Sequence, residues 1–323
     1  MDNYITDVAV LVLFFANPDR LIRVFEQVKK VKPKTLFLYQ DGPRKDKKDM
    51  EGILKCREIV SDITWECDVH RWYQKKNMGC DPSEYLSQKW AFSFVDKCII
   101  LEDDDVPSLS FFAFCKELLD KYEDDERISM IAGMNHEEIT KGIPYDYFFT
   151  SNVSIWGWAT WRRVIDNWDE KYNFMKSPYI VKELKKKIKN IHYRKDFFPM
   201  LEWHSNSGIE YYESIHMAYM LLNSGLSIVP TKNMILNIGY SGGTHSDYDI
   251  NRLSKSERKL YTLKTYEIEN EIKHPPFVME EYEYKKRVYK MMGWNASFIK
   301  RVFNKIRKMR VKWMSDKLEK IGL

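Results

Sequence analysis

Several assignments are closed off by what this chain lacks. Its 323 residues hold five cysteines, Cys56, Cys67, Cys80, Cys98 and Cys115, an odd number with no C-x-x-C or other close pair. That argues against a zinc framework and against a set of paired disulfides, and the simplest reading is reduced thiols in a cytoplasmic protein. No run approaches the ~20 apolar residues needed to span a bilayer. The start, Met1-Asp2-Asn3-Tyr4, has no basic region of the secretory kind, and the apolar run at residues 8–15 reads as a strand. Neither G-x-G-x-x-G nor G-x-x-x-x-G-K-[ST] occurs, so a dinucleotide fingerprint and a P-loop are unsupported. No internal repeat or low-complexity linker interrupts the chain.

What is present suits a large packed core. The sequence is 44% hydrophobic and 15% aromatic, which excludes global disorder. Ten Trp and twenty Tyr fit a core and also fit sugar-stacking platforms, and composition does not separate the two. The net charge of +5 is unevenly spread: residues 294–323 carry nine Lys or Arg against two acids, so the rest of the chain is slightly acidic. A nucleic-acid binder would spread basic charge over its fold, and no nucleic-acid partner is expected.

Residues 1–135 alternate strand and helix signals. Apolar or β-rich runs at 8–15, 35–39, 65–72, 97–102 and 128–133 read as strands. Between them lie a helix opened by Asn17-Pro18-Asp19 and others at 45–60, 83–95 and 108–122. This predicts an α/β fold with a mostly parallel, Rossmann-like sheet flanked by helices. The second half is less regular: aromatics crowd residues 147–161, helices are expected at 182–190 and 210–222, and 227–239 reads as strand, turn, strand broken at Pro230. Trp161 and Trp168 read as core, and Gly157, between Trp156 and Trp158, as a tight core bend.

The chemistry concentrates where the fourth strand ends. Residues 98–101 are apolar, and Glu102-Asp103-Asp104-Asp105 follow at once. Carboxylates this close resist ionising together unless a cation neutralises them. Their oxygens suit Mg2+ or Mn2+, and an ion held by one or two of them keeps positions open for a diphosphate. Ligands of such sheets bind at the C-terminal ends of the strands, so the acidic run, residues 17–20 and Asp41-Gly42 should converge on one crevice.

These segments, in this order, resemble GT-A glycosyltransferases, in particular the N-acetylglucosaminyltransferase I-like group and bacterial family 2-type sugar transferases. The resemblance rests on Ile100-Leu101-Glu102-Asp103-Asp104 with Phe111-Phe112 after it, Asn17-Pro18-Asp19-Arg20, Tyr39-Gln40-Asp41-Gly42 and Asn77-Met78-Gly79-Cys80. Trp156-Gly157-Trp158, Gly225-Leu226-Ser227, Asn237-Ile238-Gly239 and Thr244-His245 extend it to residues 8–248. It implies that Arg20, Asp41, Ser87, Glu102 and Asp103 contact the nucleotide-sugar and that Asp104 ligates Mn2+ or Mg2+. His245 is a phosphate or metal contact or an exposed loop histidine. Glu213, twelve residues before Gly225, matches the family's catalytic acid, although there it is Asp, and Tyr212 and His216 stand where Trp is frequent. Glu210 is the rival base, Asp41 equally suits a plain turn, Arg20 could pair with Glu26, and Asp105, outside the family pattern, is expected to cap the next helix.

The implied activity is metal-dependent, inverting transfer of a sugar from a nucleotide-sugar, a UDP-sugar by resemblance, to a saccharide or lipid-linked saccharide in bacterial surface polysaccharide synthesis. The alternatives are a sugar-phosphate nucleotidyltransferase, which usually opens with a Gly-rich loop not found at residues 17–20, and a non-catalytic carbohydrate-binding protein. Residues 1–250 are expected to form the catalytic domain, with a nucleotide-binding half (1–135) and an acceptor-binding half (136–250). Residues 251–323 form a helical C-terminal extension. In it Phe298, Val302, Ile306, Met309 and Trp313 recur at helical spacing among basic residues, which suits either an anionic membrane surface on the inner face of the plasma membrane or packing on the domain.

Overall fold

The computed structural model describes residues 6–45, 48–240 and 255–294. Its strands, numbered in chain order, are β1 (Ala9–Phe14), β2 (Thr35–Gln40), β3 (Asp68–Tyr73), β4 (Lys97–Glu102), β5 (Asp105–Pro107), β6 (Ile128–Ala132), β7 (Tyr147–Thr150), β8 (Trp158–Trp161), β9 (Leu226–Pro230) and β10 (Ile235–Asn237). The helices are α1 (Pro18–Val31), α2 (Met50–Ser61), α3 (Cys80–Phe92), α4 (Leu109–Lys121), α5 (Arg162–Ile165), α6 (Pro178–Lys187), α7 (Ile191–Ser207), α8 (Tyr212–Asn223), α9 (Lys255–Leu260) and α10 (Tyr282–Met291).

Eight strands form one mixed sheet in the order β3-β2-β1-β4-β8-β6-β9-β7. The pairs among β3, β2, β1 and β4 are parallel, as is β6 with β9, whereas β8 runs antiparallel between β4 and β6 and β7 runs antiparallel to β9. The α/β Rossmann-like class read from the sequence is therefore the observed one. Because side chains alternate along a strand, the central strands feed two cores. Val10, Val12, Leu36, Leu38, Ile99 and Leu101 pack against α1, α2 and α4 on one face. On the other, Leu11, Leu13, Phe37, Tyr39, Cys98 and Ile100 meet α3 and the helices of the second half. Each fully buried side chain of this size contributes ~1.5–3 kcal/mol before entropy is counted.

Local signals set the ends that matter for the site. The Asn17 side chain accepts the Arg20 N–H and Pro18 occupies the first turn, so α1 starts directly off β1. Pro230 ends β9, as its position predicts. Gly157 has φ +56°, a Cβ there would overlap Ile235, and Trp158 and Trp161 are buried beside it, so the core bend expected at residues 156–158 is observed. Trp168 is buried too.

Two elements differ from expectation. Asp105 does not cap α4. It opens β5, which pairs with β10 in a separate two-stranded sheet, and its side chain is held inward. The cap comes instead from Glu267, whose carboxylate accepts the N–H groups of Leu109 (2.9 Å) and Ser110 (2.7 Å). And α7, 17 residues with Pro199 inside it, fills a stretch for which no helix was expected beyond residue 190.

Residues 261–281 form an irregular strap. Tyr266 N–H reaches Asn233 O, Lys273 N–H reaches the Asp146 carboxylate and Glu281 N–H reaches Phe149 O. The strap delivers α10, whose Tyr284 and Val288 pack on Phe148 and Val229. Residues 255–294, the described part of the expected extension, thus hold two helices joined by this strap. The amphipathic tail at 298–313 lies outside the described residues, as does His245. No helix among the described residues is long and apolar enough to cross a membrane.

Candidate active site

Three parallel strands end side by side at Phe14, Gln40 and Glu102, and the chain leaving each carries polar groups into one crevice. After β4 come Asp103 and Asp104. Asp103 Oδ2 accepts the Phe15 N–H at 3.2 Å, which ties the acidic turn to the end of β1. Asp104 Oδ1 accepts from Asn237 Nδ2 at 2.9 Å, and its backbone carbonyl accepts the Ile238 N–H. Arg20 Nη1 lies 3.8 Å from Asp104 Oδ2, while Nη2 donates to Gly239 O at 3.1 Å. Arg20 thus pairs with the acidic turn and not with Glu26. A Cβ at Gly239 would overlap the Asp104 carboxylate, so the glycine lets the β10 end approach the acid with its side chain in this position. Asp105, fully buried, accepts from Gly157 N–H (2.8 Å) and Asn237 Nδ2 (3.1 Å).

Asp41 is held differently. Its Oδ1 accepts the N–H groups of Gly42 and Met78 at 2.8 Å each, and its Oδ2 accepts Asn77 Nδ2 at 2.7 Å and Gly79 N–H at 3.1 Å. Burial pushes its pKa up and these donors oppose the shift. The carboxylate fastens residues 77–79, where Gly79 takes φ +92° and opens α3. Ser87, further along α3, is fully buried with its hydroxyl donating to Glu84 O at 3.0 Å.

The first two turns of α3 carry two acids that the sequence reading missed, Asp81 and Glu84. Carboxylate oxygens of Asp81, Glu84 and Glu213 all lie within 4.8 Å of one another. Glu213 stands in the first turn of α8, and Glu210 lies before that helix begins. The helix expected from Ser83 excludes Asp81, whereas α3 begins at Cys80. The available signal was a glycine turn followed by two acids three apart, which share a helix face.

Beneath Glu213, aromatic packing fixes α8. Tyr212 is stacked on Trp158 (centroids 6.3 Å, 11° between planes). His216 Nδ1 accepts from Trp168 Nε1 at 3.3 Å, and burial lowers its pKa to about 3, so it is a neutral packing group. A chain of hydroxyls, from Tyr172 to Ser214 (2.6 Å) and from Ser214 to His204 Nδ1 (2.7 Å), ties α8 to the region before it and to α7.

The electrostatics follow from crowding. Seven carboxyls, Asp81, Glu84, Glu102, Asp103, Asp104, Asp105 and Glu213, share this crevice, and the guanidinium of Arg20 is the cation that acts on Asp103 and Asp104. Burial, then Asp104, pushes Asp103 up to about 7. Burial, then Asp81, pushes Glu213 up to about 7. Burial first raises Glu84, Glu102 and Asp105 well above the carboxylate range; Glu213 then adds to the shift of Glu84, Glu84 to that of Glu102 and Asp104 to that of Asp105. The donor set is entirely hard oxygen, matched to Mg2+ or Mn2+ and unsuited to soft metals. The Asp104 side chain, braced by Asn237 and Arg20, keeps 19% of its surface exposed and fits as a ligand.

No family model matches the chain, and no curated protein matches it. Solved structures with a similar arrangement include a mannosyltransferase from Pyrobaculum calidifontis in complex with GDP-Man and Mn2+ (TM-score 0.36, 8% identity, 68% of this chain and 70% of that one). The inositol-1-phosphate CTP transferase from T. maritima (0.36, 10%, 80% and 96%) and mouse xyloside xylosyltransferase 1 (0.33, 10%, 56% and 76%) are others. Glycosyltransferases and nucleotidyltransferases thus both occur among these structures, at overlaps that carry no argument about activity.

Proposed function

We propose that this protein is a metal-dependent glycosyltransferase that moves a sugar from a UDP-sugar to a saccharide or lipid-linked saccharide acceptor with inversion. One observation carries the reading: the carboxylate oxygens of Glu213, Glu84 and Asp81 lie within 4.8 Å of one another, and Glu84 adjoins Glu102 at the C-terminal edge of the parallel strands. A candidate proton acceptor and a candidate diphosphate-neutralising group therefore face the same space. The start of α1 directly off β1, with no glycine loop between them, favours this over nucleotidyl transfer.

A dication held by Asp104, with Glu102 and Asp103 beside it, would neutralise the departing diphosphate. The chain's own groups do the rest. Arg20 is placed to steer a phosphate oxygen toward the acidic turn. Asp41, with its oxygens committed to Gly42 and residues 77–79, positions the loop beside the nucleotide, and Ser87 supports the same helix from within. Glu213, poised near neutrality, accepts the proton of the attacking hydroxyl. Trp158 and Tyr212 keep its helix fixed.

Calorimetry of UDP with and without Mn2+, on the wild type and Asp104→Ala, tests the site. Mn2+ should tighten UDP binding in the wild type only, because linked equilibria are reciprocal; equal affinity in all four titrations overturns the reading. With UDP-sugar and acceptor, UDP should be released, whereas pyrophosphate chemistry would point to the nucleotidyltransferase.

A further inference from the structure

A cavity of about 1150 Å3 is lined by none of the seven carboxyls of the crevice. It opens between the C-terminal end of α8, the turn from α6 to α7, the end of β7 and α10. Glu213 sits at one end of α8, and Leu221 and Ser224 line the cavity at the other. The α8 wall of the cavity runs from Met217, one turn after Glu213 and about 6 Å along the helix at 1.5 Å per residue, to Ser224 at the helix end. No residue of the crevice lines this space.

Its chemistry is the reverse of the crevice. Four lysines, Lys187, Lys189, Lys285 and Lys286, and one carboxylate, Glu280, line it; Lys286 is paired with Glu283 at 2.6 Å, and Lys187 donates to Leu221 O and Ser224 Oγ at 2.9 Å each. Glu280 already accepts from Ser151 N–H (3.0 Å) and lies 3.8 Å from Lys285 Nζ, which also donates to Ser151 Oγ at 2.5 Å. Burial lowers the Lys285 pKa, as expected where an ammonium lacks full compensation. Lys189 is exposed and makes no ion pair among the described residues. The remaining wall is apolar and adaptable: Met217, Met220, Leu221, Ile188, Val288 and Met292. Tyr193 and Trp294 close one side, the indole N–H of Trp294 held by Asp196 at 2.9 Å.

The mouth adds a second kind of observation. Met279 on its rim is 76% exposed and nearby Phe277 78% exposed, the two most exposed large apolar side chains among the described residues. Next to it, α6 presents Lys182, Lys185 and Lys186 around a smaller basic recess with Arg194. Residues 295–323, which continue from Trp294, are strongly basic in sequence. A basic segment is a poor occupant of a lysine-lined cavity, and both would be drawn to the same anionic surface.

We propose that this cavity binds one anionic phospholipid, its phosphate between Lys189 and Lys285 and an acyl chain along the methionine-rich wall, with Phe277 and Met279 entering the bilayer surface. This does not rest on the glycosyltransferase reading. Any anionic phosphate could meet the lysines, but only an amphiphile uses the apolar wall and the exposed rim.

The test uses the full chain and short-chain phosphatidylglycerol below its micelle concentration, with inorganic phosphate and the matching phosphatidylcholine as probes. Saturable binding of phosphatidylglycerol is expected, weakened about tenfold by Lys189→Glu, an exposed substitution that leaves the core untouched. A bromine-labelled acyl chain should quench tryptophan fluorescence, and Trp294→Phe should remove most of that quenching. Equal binding by wild type and Lys189→Glu, or quenching unchanged by Trp294→Phe, overturns the site. Binding of inorganic phosphate as tight as that of the lipid overturns the amphiphile. Equal affinity for phosphatidylcholine overturns the charge recognition.

Discussion

Glu213 combines a position and an environment that together define a pH signature. Its carboxyl is lifted to about 7, first by burial and then by Asp81, so the ionised form gains ground as pH rises through that value. A base works deprotonated; turnover should therefore climb from pH ~6 to ~8 instead of levelling off near the ordinary carboxylate pKa of ~4.3. Glu213→Gln keeps the size but removes the basic oxygen, and should lower kcat by ~100-fold or more while UDP affinity changes little. Glu210→Gln, altering a side chain outside α8, should keep both turnover and the pH profile. Loss of activity in Glu210→Gln with full activity in Glu213→Gln would move the base upstream. At this scale the sequence was legible where acids follow an apolar strand, because burial up to Leu101 forces whatever comes next into the strand-end crevice. Asp81 and Glu84 were not, because their meaning depends on α8 arriving opposite them from more than 120 residues away.

At the scale of elements, one carboxylate sets the direction of a helix. Asp41 gathers two backbone N–H groups and an amide from residues 77–79, and with them the start of α3, from which Asp81 and Glu84 project. Asp41→Ala removes the acceptor of the Met78 and Gly79 N–H groups, while the Asn77 amide keeps Gly42 O at 3.0 Å. Buried donors of this kind cost ~1–3 kcal/mol each when unsatisfied, less where water reaches them, so an overall loss of about 2–4 kcal/mol is expected. Hydrogen exchange should show the Met78 and Gly79 amides exchanging faster while the strands stay protected; unchanged protection there would mean that Asp41 is not what fastens the loop. The parallel half of the sheet was readable because each strand is a short apolar run bounded by turn residues. β8 was not separated from the aromatic stretch around it, since Trp158-Ala159-Thr160-Trp161 is buried throughout and has no alternation to read. α7 was hidden by Pro199, which ordinarily argues against a helix interior.

Across the whole molecule, the crowded acids couple folding to protons and to metal. Asp103 and Glu213 hold protons up to about pH 7 when folded but release them near pH ~4 when unfolded. The stability they contribute is therefore full below that unfolded value and is lost as pH rises through about 7. His136 and His216, depressed to about 4 and 3 by burial, act in the opposite sense and favour the folded state above their unfolded pKa of ~6.5. The clean measurement is thus the difference in Tm with and without Mn2+. A dication competes with protons for the carboxylates, so its stabilising effect should grow between pH ~5 and ~8 and shrink in Asp104→Ala. A Tm difference independent of pH would show that the ion does not bind at these acids.

The closure of the acidic turn by β10 has a consequence for how the protein is made. Asn237, which holds both Asp104 and Asp105, lies 133 residues beyond Asp104. At ~5–20 residues per second the ribosome delivers it on the order of ten seconds later. For part of that interval β4 has no neighbour on its outer side, because β8 is still unmade. A nascent apolar edge of this kind invites pairing with other chains. Four consecutive acids at its end, still hydrated and repelling their own kind, would guard that edge until the later strands arrive.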